Sequence, residues 1–208
     1  MGAHRAGMMI VRTAALVTVA YLLGSIPWGL VLTRLFTKNN LLNNGSGNIG
    51  ANNVRRIAGN TLALITLLAD MAKGGIPVYL ADILIRPYGT WRSSIACMTA
   101  VAAFLGHLYP LYMRGKNGGK GVATAAGCFA VLSPAAAGAA FLVYVLMVCM
   151  TSRSSIGSLT AAAFLPFAVH VAGASPPVLL CAGFMAVMIV IRHKDNIQRL
   201  LHGEEPRL

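Results

Sequence analysis

Three cationic side chains and several glycines lie together in the segment Arg114–Gly127, which reads RGKNGGKGVATAAG. Glycine has no Cβ, so the backbone amides of Gly118, Gly119 and Gly121 can turn towards an anion and touch its oxygens. If a helix begins directly after the last of these glycines, its N-terminal amides point at the same place, where Lys120 adds a point charge. The segment predicts a phosphate-binding loop; the alternative is a basic loop that only orients the chain in a bilayer.

Two glycine patterns look like nucleotide-binding motifs but lack the required context. A Walker A loop would need Gly where Arg114 stands and Ser or Thr where Gly121 stands. The GSGNIG stretch at Gly45–Gly50 matches the dinucleotide fingerprint, with an acidic residue, Asp70, downstream. However, no strand precedes it, and Asp70 falls in an apolar run, so we expect no dinucleotide site.

Composition predicts an integral membrane protein made of a single domain, residues 1–208. Hydrophobic residues make up 57% of the chain, charged residues only 11%, and the mean hydropathy is +0.70. A net charge of +12 is typical of a positive-inside bias and of attraction to an anionic leaflet. Aromatic residues make up only 7% and do not alternate with basic ones, which argues against a nucleic-acid partner.

The cysteines give no sign of disulfides or of metal binding. Each stands alone in an apolar run, without CxxC spacing, and we interpret them as reduced packing residues. They are Cys97, Cys128, Cys149 and Cys181. The sequence predicts neither a metal site nor a cofactor.

Ionisable residues fall inside several of the apolar runs. Asp70 and Lys73 are three residues apart, so on a helix they share a face and can neutralise each other. Ionisable residues within a membrane are functional by default, but an ion pair that supports the fold is an equally good interpretation here. A single histidine, His107, is more typical of a packing or supporting group than of a catalyst.

Long apolar runs predict the membrane crossings. The runs are Ala14–Thr33, Ile57–Ile85, Ser93–Met113, Gly121–Ser152 and Ser154–Ile191. The first lacks a small-residue cleavage site and predicts a retained helix, kinked at Pro27. The last divides at the GASPP stretch, Gly173–Pro177, into two crossings. The run Gly121–Ser152 is long for one crossing and short for two, with Ser133 and Pro134 near its middle.

Three polar stretches lie between these runs: GSGNIGANNVRRIAG, GHLYPLYMRGKNGGKGVATAAG and RHKDNIQRLLHGEEP. In order and spacing they resemble the three signature motifs of the bacterial acyl-phosphate:glycerol-3-phosphate acyltransferase family. The resemblance implies an all-helical protein with seven transmembrane helices and an active site at the cytoplasmic face of the inner membrane. It implies a step of phospholipid biosynthesis, in which a fatty acyl group moves from acyl phosphate to the 1-hydroxyl of glycerol 3-phosphate. The products would be lysophosphatidic acid and phosphate, and acyl-CoA would not be used.

The resemblance also implies roles for individual residues. The catalytic set would be Ser46, Arg56, Lys120, His193 and Asn196. The substrate- and phosphate-binding set would be Asn52, Gly118, Gly119, Lys120, Gly121 and Ser155, and Glu205 would be structural. Two positions depart from the family: Asn52 replaces the usual Thr, and Asn117 stands in a usually Gly- or Lys-rich run. Asn keeps donor and acceptor capacity, so at position 52 the departure affects hydrogen-bond geometry.

The chemistry leaves two questions open at this point. His193 could act as a general base, or it could orient a substrate phosphate that takes the proton itself; we favour orientation. The H-x4-D pair of other glycerolipid acyltransferases is absent. Interrupted helices, intramembrane charges and a glycine-rich anion loop would also suit a transporter of a phosphorylated solute, although no inverted repeat is visible.

Counting crossings predicts the topology. If Gly121–Ser152 crossed once, the third motif would emerge opposite the first two, so we expect two short helices of about 14 residues each, with a turn near Ser133 and Pro134. Seven crossings place the N-terminus in the periplasm and the C-terminus in the cytoplasm. Only four Lys or Arg residues then lie opposite the motifs: Arg5, Arg12, Arg86 and Arg92.

Overall fold

The computed structural model describes residues 3–208, except for the side chains of residues 3–5, 87 and 88. Arg5, counted above, falls among these side chains. The described residues contain no strand, which confirms the all-helical prediction. They form α1 (Ala3–Gly24), α2 (Trp28–Phe36), α3 (Ala51–Ala58), α4 (Asn60–Leu84), α5 (Arg92–Leu108), α6 (Val122–Leu132), α7 (Pro134–Thr151), α8 (Ser154–Val171), α9 (Pro176–Arg192) and α10 (Lys194–Leu201). Short 3-10 helices cover Arg86–Trp91 and Leu111–Met113.

The chain divides into two compact units. The first, up to Leu132, contains α1 to α6 and the first two polar motifs. The second, Ser133–Leu208, contains α7 to α10 and the third motif. A single domain covering residues 1–208 stays a prediction.

Five helices of the described chain are long and apolar enough to cross a membrane: α1 (from Ala6), α4, α5 (with the 3-10 turns that flank it), α7 and α8. Helices α9 and α10 would together count as a sixth, bent by 58° where they join. Helix α6 is apolar but has only 11 residues. The chain is therefore a multi-pass membrane protein, and the seventh crossing stays a prediction that depends on α6.

Two of the three predicted interruptions occur at a single proline. The chain leaves α1 after Gly24 and re-enters a helix at Trp28, directly after Pro27, which has no N–H to donate within a helix. In the second case α6 ends at Leu132 and α7 begins with Pro134, a position that suits proline because the first helical N–H needs no partner. The expected division into two equally short helices is wrong, because α6 has 11 residues and α7 has 18.

Small residues bring the helices of the first unit close together. A Cβ at Gly24 would overlap the carbonyl of Ala103, so α1 and α5 touch at this glycine. Helices α4 and α6 approach in the same way, because a Cβ at Gly127 would overlap the carbonyl of Met71. Close backbone approach of this kind is how helices pack in lipid, where no hydrophobic force drives them together.

Candidate functional site

The first motif forms a tight turn that carries Ser46 ahead of α3. Gly45 and Gly47 flank this serine with left-handed backbone conformations, at φ of 63° and 65°. Side chains with a Cβ rarely adopt such angles, so these two glycines allow the chain to reverse twice within three residues. Ser46 is exposed at the tip of the turn.

The buried side chain of Asn53 holds this turn from the inside. Its Oδ1 accepts a hydrogen bond from the Ser46 N–H at 2.9 Å. Its Nδ2 faces carbonyl oxygens at 2.9 to 3.2 Å, those of Leu41, Asn44 and Asn48. Sequence reasoning missed Asn53, because one asparagine among many in this stretch gives no sign of being the buried one.

Helix α3 presents two of the predicted functional side chains to the outside. Asn52 and Arg56 are both exposed, whereas Arg55 is half-buried. Arg56 lies in the last turn of α3, where a cation interacts favourably with the carbonyl end of the helix dipole. The first motif therefore combines the buried amide of Asn53, which supports the turn, with the exposed guanidinium of Arg56.

The second motif places Lys120 directly before α6. The helix begins at Val122, as predicted, and Gly121 adopts a φ of 88° to turn the chain into it. The Lys120 side chain is half-buried. A cation and the N-terminal amides of an 11-residue helix thus occur within two residues of each other.

The glycines of this loop pack against α5. Gly118 and Gly119 are buried, and a Cβ at Gly118 would overlap the carbonyl of Leu108. The Gly119 N–H donates a hydrogen bond to the His107 carbonyl at 3.1 Å. The prediction that all three glycine amides face an anion is therefore wrong for Gly119, because protein packing uses that amide.

The first two motifs are neighbours within the first unit. The side chain of Met113, directly before the glycine loop (Arg114–Gly121), packs against a buried cluster that includes Ile49 and Val54 of the first motif. That cluster consists of Leu30, Leu41, Ile49, Val54 and Ala63. The unit therefore brings Ile49 and α3 beside Met113, the residue that leads into the glycine loop.

The predicted ion pair between Asp70 and Lys73 is confirmed. The two groups are 2.8 Å apart on α4, and both are buried. The Lys73 amine also donates to the carbonyl of Ile26, in the break between α1 and α2, at 2.8 Å. His107 is buried beside them, with its Nδ1 3.7 Å from the Asp70 Oδ1. The interpretation of His107 as a packing or supporting group agrees with this position.

In the second unit, His193 lies at the bend between α9 and α10. Its backbone, at φ −98° and ψ 9°, ends one helix and begins the next. The side chain is buried, and its Nδ1 contacts the Ile189 carbonyl at 2.8 Å. Because a carbonyl oxygen can only accept, this contact requires the proton on Nδ1. In the neutral ring, Nε2 is then the nitrogen that can accept a hydrogen bond.

One turn further along α10, Asn196 is held by Glu205. The Asn196 Nδ2 donates to one carboxylate oxygen at 2.7 Å, and the Arg199 Nε donates to the other at 2.8 Å. Asn196 and Glu205 are both buried. The carboxylate thus fixes the orientation of the Asn196 amide, and Arg199 is a supporting residue that sequence reasoning did not single out.

The start of α8 also lies next to Glu205. Burial raises the pKa of Glu205, and hydrogen bonding from Asn196, the nearby Ser155 hydroxyl and Arg199 outweighs it, so the pKa lies below its ordinary value of 4.5. The Ser155 Oγ is buried near this carboxylate. The Arg153 Nε donates to the Glu205 carbonyl at 3.1 Å, which ties the C-terminal segment to the start of α8.

Comparison of sequences identifies close relatives. The sequence profile of the family described as glycerol-3-phosphate acyltransferase matches residues 14–203. Curated relatives of that name from Syntrophotalea carbinolica and Desulfotalea psychrophila are 46% and 43% identical, over 188 and 187 residues. Each alignment covers 90% of this chain and 93% of the relative.

Two solved structures of PlsY (YgiH), an integral membrane glycerol 3-phosphate acyltransferase, share the fold. The glycerol 3-phosphate form is 38% identical, with a TM-score of 0.87, and the match covers 95% of this chain and 96% of that one. The lysophosphatidic acid form is 37% identical, with a TM-score of 0.85 and 95% coverage of both chains. The resemblance carried by the three polar motifs is confirmed. The chain belongs to the glycerol-3-phosphate acyltransferase family, and it is a membrane enzyme.

Proposed function

We propose that this acyltransferase moves a fatty acyl group from an acyl phosphate to the 1-hydroxyl of glycerol 3-phosphate. The products are lysophosphatidic acid and inorganic phosphate. The two forms in which PlsY was solved, with glycerol 3-phosphate and with lysophosphatidic acid, support the acceptor and the product. The resemblance of the motifs supports acyl phosphate, rather than acyl-CoA, as the donor.

The observation that carries this proposal is the packing of Met113, directly before the glycine loop, against a buried cluster that includes Ile49 and Val54 of the first motif. Lys120 and the first amides of α6 supply a point charge and oriented dipoles, which suit a phosphate group. Arg56 supplies a planar, forked donor that can bind two phosphate oxygens at once. Both substrates bring phosphate groups, so basic and amide groups on adjoining segments fit this pair of substrates.

The remaining polar residues of the motifs have subsidiary roles in the proposal. The exposed Ser46 and Asn52 contribute hydrogen bonds to the substrates, and the Ser155 hydroxyl contributes in the same way. Gly118, Gly119 and Gly121 give the loop the backbone path that Lys120 requires. Glu205 is structural, because both of its carboxylate oxygens accept hydrogen bonds from neighbouring side chains.

Acyl transfer needs little covalent help from the protein, because acyl phosphate is already activated. The 1-hydroxyl oxygen forms a bond to the acyl carbon, and the bond from that carbon to the phosphate oxygen breaks. The electron pair leaves with the phosphate, and the hydroxyl proton is transferred to a phosphate oxygen. Positioning and charge stabilisation therefore supply most of the catalysis.

His193 and Asn196 position the reacting groups. With protons on both ring nitrogens, His193 keeps its Nδ1–H bond to the Ile189 carbonyl and can donate a hydrogen bond from Nε2 to a substrate phosphate oxygen. The Asn196 amide is oriented by Glu205, so it can meet a substrate oxygen in a fixed direction. In this account His193 orients a substrate phosphate, and a phosphate oxygen takes the proton of the acceptor hydroxyl.

We also propose seven crossings of a bacterial inner membrane, with a periplasmic N-terminus and a cytoplasmic C-terminus. Helix α6 is the weakest crossing, because 11 residues reach only about 16 Å of a core of about 30 Å. Local thinning of the bilayer, or a loop that dips into the headgroups, would reconcile the two lengths. The charge bias supports this orientation and places the active site at the cytoplasmic face.

Cysteine labelling tests the orientation. Asn43→Cys and Ala172→Cys, each at an exposed or partly exposed position in a background without native cysteines, would be treated with an impermeant reagent outside intact cells. Only Ala172→Cys should react. Labelling of Asn43→Cys alone would contradict the orientation, and labelling of both positions or of neither would contradict the seven-crossing topology.

The role of the basic groups is tested by paired arginine substitutions. Arg56→Lys keeps the charge but loses the forked geometry, so we expect kcat/KM for glycerol 3-phosphate to fall about 100-fold. Arg55→Lys, one residue away and half-buried, should stay within about threefold of the parent. Equal effects of the two substitutions would show that Arg56 does not hold a substrate phosphate.

A further inference from the structure

His107 touches the glycine loop with both its side chain and its backbone. A Cβ built on Gly119 would overlap the imidazole, with Nε2, Cε1 and Cδ2 as its nearest atoms. The Gly119 N–H donates to the His107 carbonyl at 3.1 Å. Gly119 is therefore seated directly on the buried ring of His107, one residue before Lys120.

The opposite side of the ring faces a buried ion pair. The His107 Nδ1 lies 3.7 Å from the Asp70 Oδ1, and the same oxygen lies 2.8 Å from the Lys73 Nζ. Lys73 continues the chain of contacts to the Ile26 carbonyl at 2.8 Å. The contacts thus run from the break between α1 and α2, across α4 and α5, to the glycine loop.

Such an arrangement orients groups more than it stabilises the fold. A buried ion pair often contributes little stability relative to well-packed apolar residues, because desolvation offsets the attraction. It does restrict where each partner can lie. With Asp70 fixed by Lys73, the imidazole has a charged neighbour on one edge and the Gly119 backbone on the other, so its position and the path of the loop depend on each other.

We propose that His107, aligned by Asp70 and Lys73, is a positioning residue that sets the backbone of the glycine loop and thereby the place of Lys120. The inference rests on the proposed phosphate-binding role of Lys120. It assigns a physical reason to Gly119: a side chain is excluded at this position by the imidazole, not by the substrate. Gly118 differs, because its Cβ would meet the Leu108 backbone carbonyl, which no side-chain substitution can remove.

A double-mutant cycle tests the proposal on the purified full-length protein, with kcat, KM for glycerol 3-phosphate and the midpoint of thermal unfolding measured for each variant. Gly119→Ala should raise KM about tenfold, and combining it with His107→Ala should recover most of that loss. Gly118→Ala should not be rescued by His107→Ala, which makes it the matched control. Additive effects of Gly119→Ala and His107→Ala, or a Gly119→Ala variant with parental KM and unfolding midpoint, would overturn the proposal.

Two further variants separate this inference from the proposed function. Asp70→Asn with Lys73→Met removes the ion pair without leaving a single buried charge, and it should raise KM with a much smaller effect on kcat. A loss confined to kcat would contradict positioning through the loop. If Lys120→Met leaves KM unchanged, the phosphate-binding role fails; rescue of the Gly119→Ala unfolding midpoint by His107→Ala then still decides whether His107 sets the loop.

Discussion

The two units present their polar residues in opposite ways. In the first, the predicted functional side chains Ser46 and Arg56 are exposed, and a residue that no motif role had named, Asn53, is buried beneath them. In the second, the predicted functional side chains are themselves buried, with His193 at 2% and Asn196 at 6% exposure. In the first unit, one residue supports the fold and other residues carry the predicted function, whereas in the second unit the same residues do both.

This difference determines whether a substitution changes activity alone or activity and stability together. Replacing an exposed group such as Arg56 removes an interaction with the substrate and leaves the fold intact. Replacing Asn196 removes a proposed substrate contact and also one of the donors to the buried Glu205 carboxylate, so activity and stability change together. In the first unit, the two quantities should separate residue by residue.

The largest effect is expected at Asn53. Asn53→Asp replaces the amide donor with a carboxylate oxygen that faces the carbonyl groups of the Ser46 turn, so we expect a loss of about 3 kcal/mol of stability. Thermal unfolding in detergent and the yield of folded protein measure it. Asn43→Asp, at an exposed position in the same segment, should change stability by no more than about 0.5 kcal/mol. Equal stability of the two variants would mean that the Ser46 turn does not depend on the buried amide.

A smaller effect, dependent on pH, is expected at Glu205. Its lowered pKa means that the ionised carboxylate stabilises the fold above the ordinary value of 4.5 and that this contribution is lost as the pH falls through the lower pKa of the folded state. Glu205→Gln should therefore cost about 1 to 2 kcal/mol at neutral pH. The difference from the parent should shrink in acid, as measured by unfolding from about pH 7 to pH 3.

The exposed neighbour Glu204 supplies the control for this measurement. Glu204→Gln should change stability by no more than about 0.5 kcal/mol at neutral pH, because this side chain is exposed. If Glu205→Gln and Glu204→Gln behave alike, the buried network does not hold the third motif, and the contrast between the units disappears.

Much of the fold follows from local sequence. The interruption at Pro27 and the turn at Ser133–Pro134 were predictable because proline removes a backbone donor wherever it stands. The start of α6 at Val122 followed from the glycines before it. The division of Gly121–Ser152 into helices of 11 and 18 residues was not predicted. The length of an apolar run indicates that a turn is needed, but it does not fix the residue at which the turn lies.

The supporting contacts of the site could not be predicted, because they join residues far apart in the chain. Nothing near Gly119 indicates that the His107 carbonyl takes its amide or that the imidazole fills the space beside it. The pairing of Asp70 with Lys73 could be predicted, because residues three apart on a helix share a face. Local periodicity predicts contacts along one helix, whereas contacts between helices depend on packing.

The most direct test of the account is the identity of the acyl donor. Purified protein in detergent would be given glycerol 3-phosphate with either an acyl phosphate or the matching acyl-CoA, and lysophosphatidic acid and inorganic phosphate would be measured together. We expect equimolar release of the two products from acyl phosphate and no product from acyl-CoA. Turnover of acyl-CoA, or lysophosphatidic acid formed from acyl phosphate without matching release of phosphate, would contradict the proposed reaction.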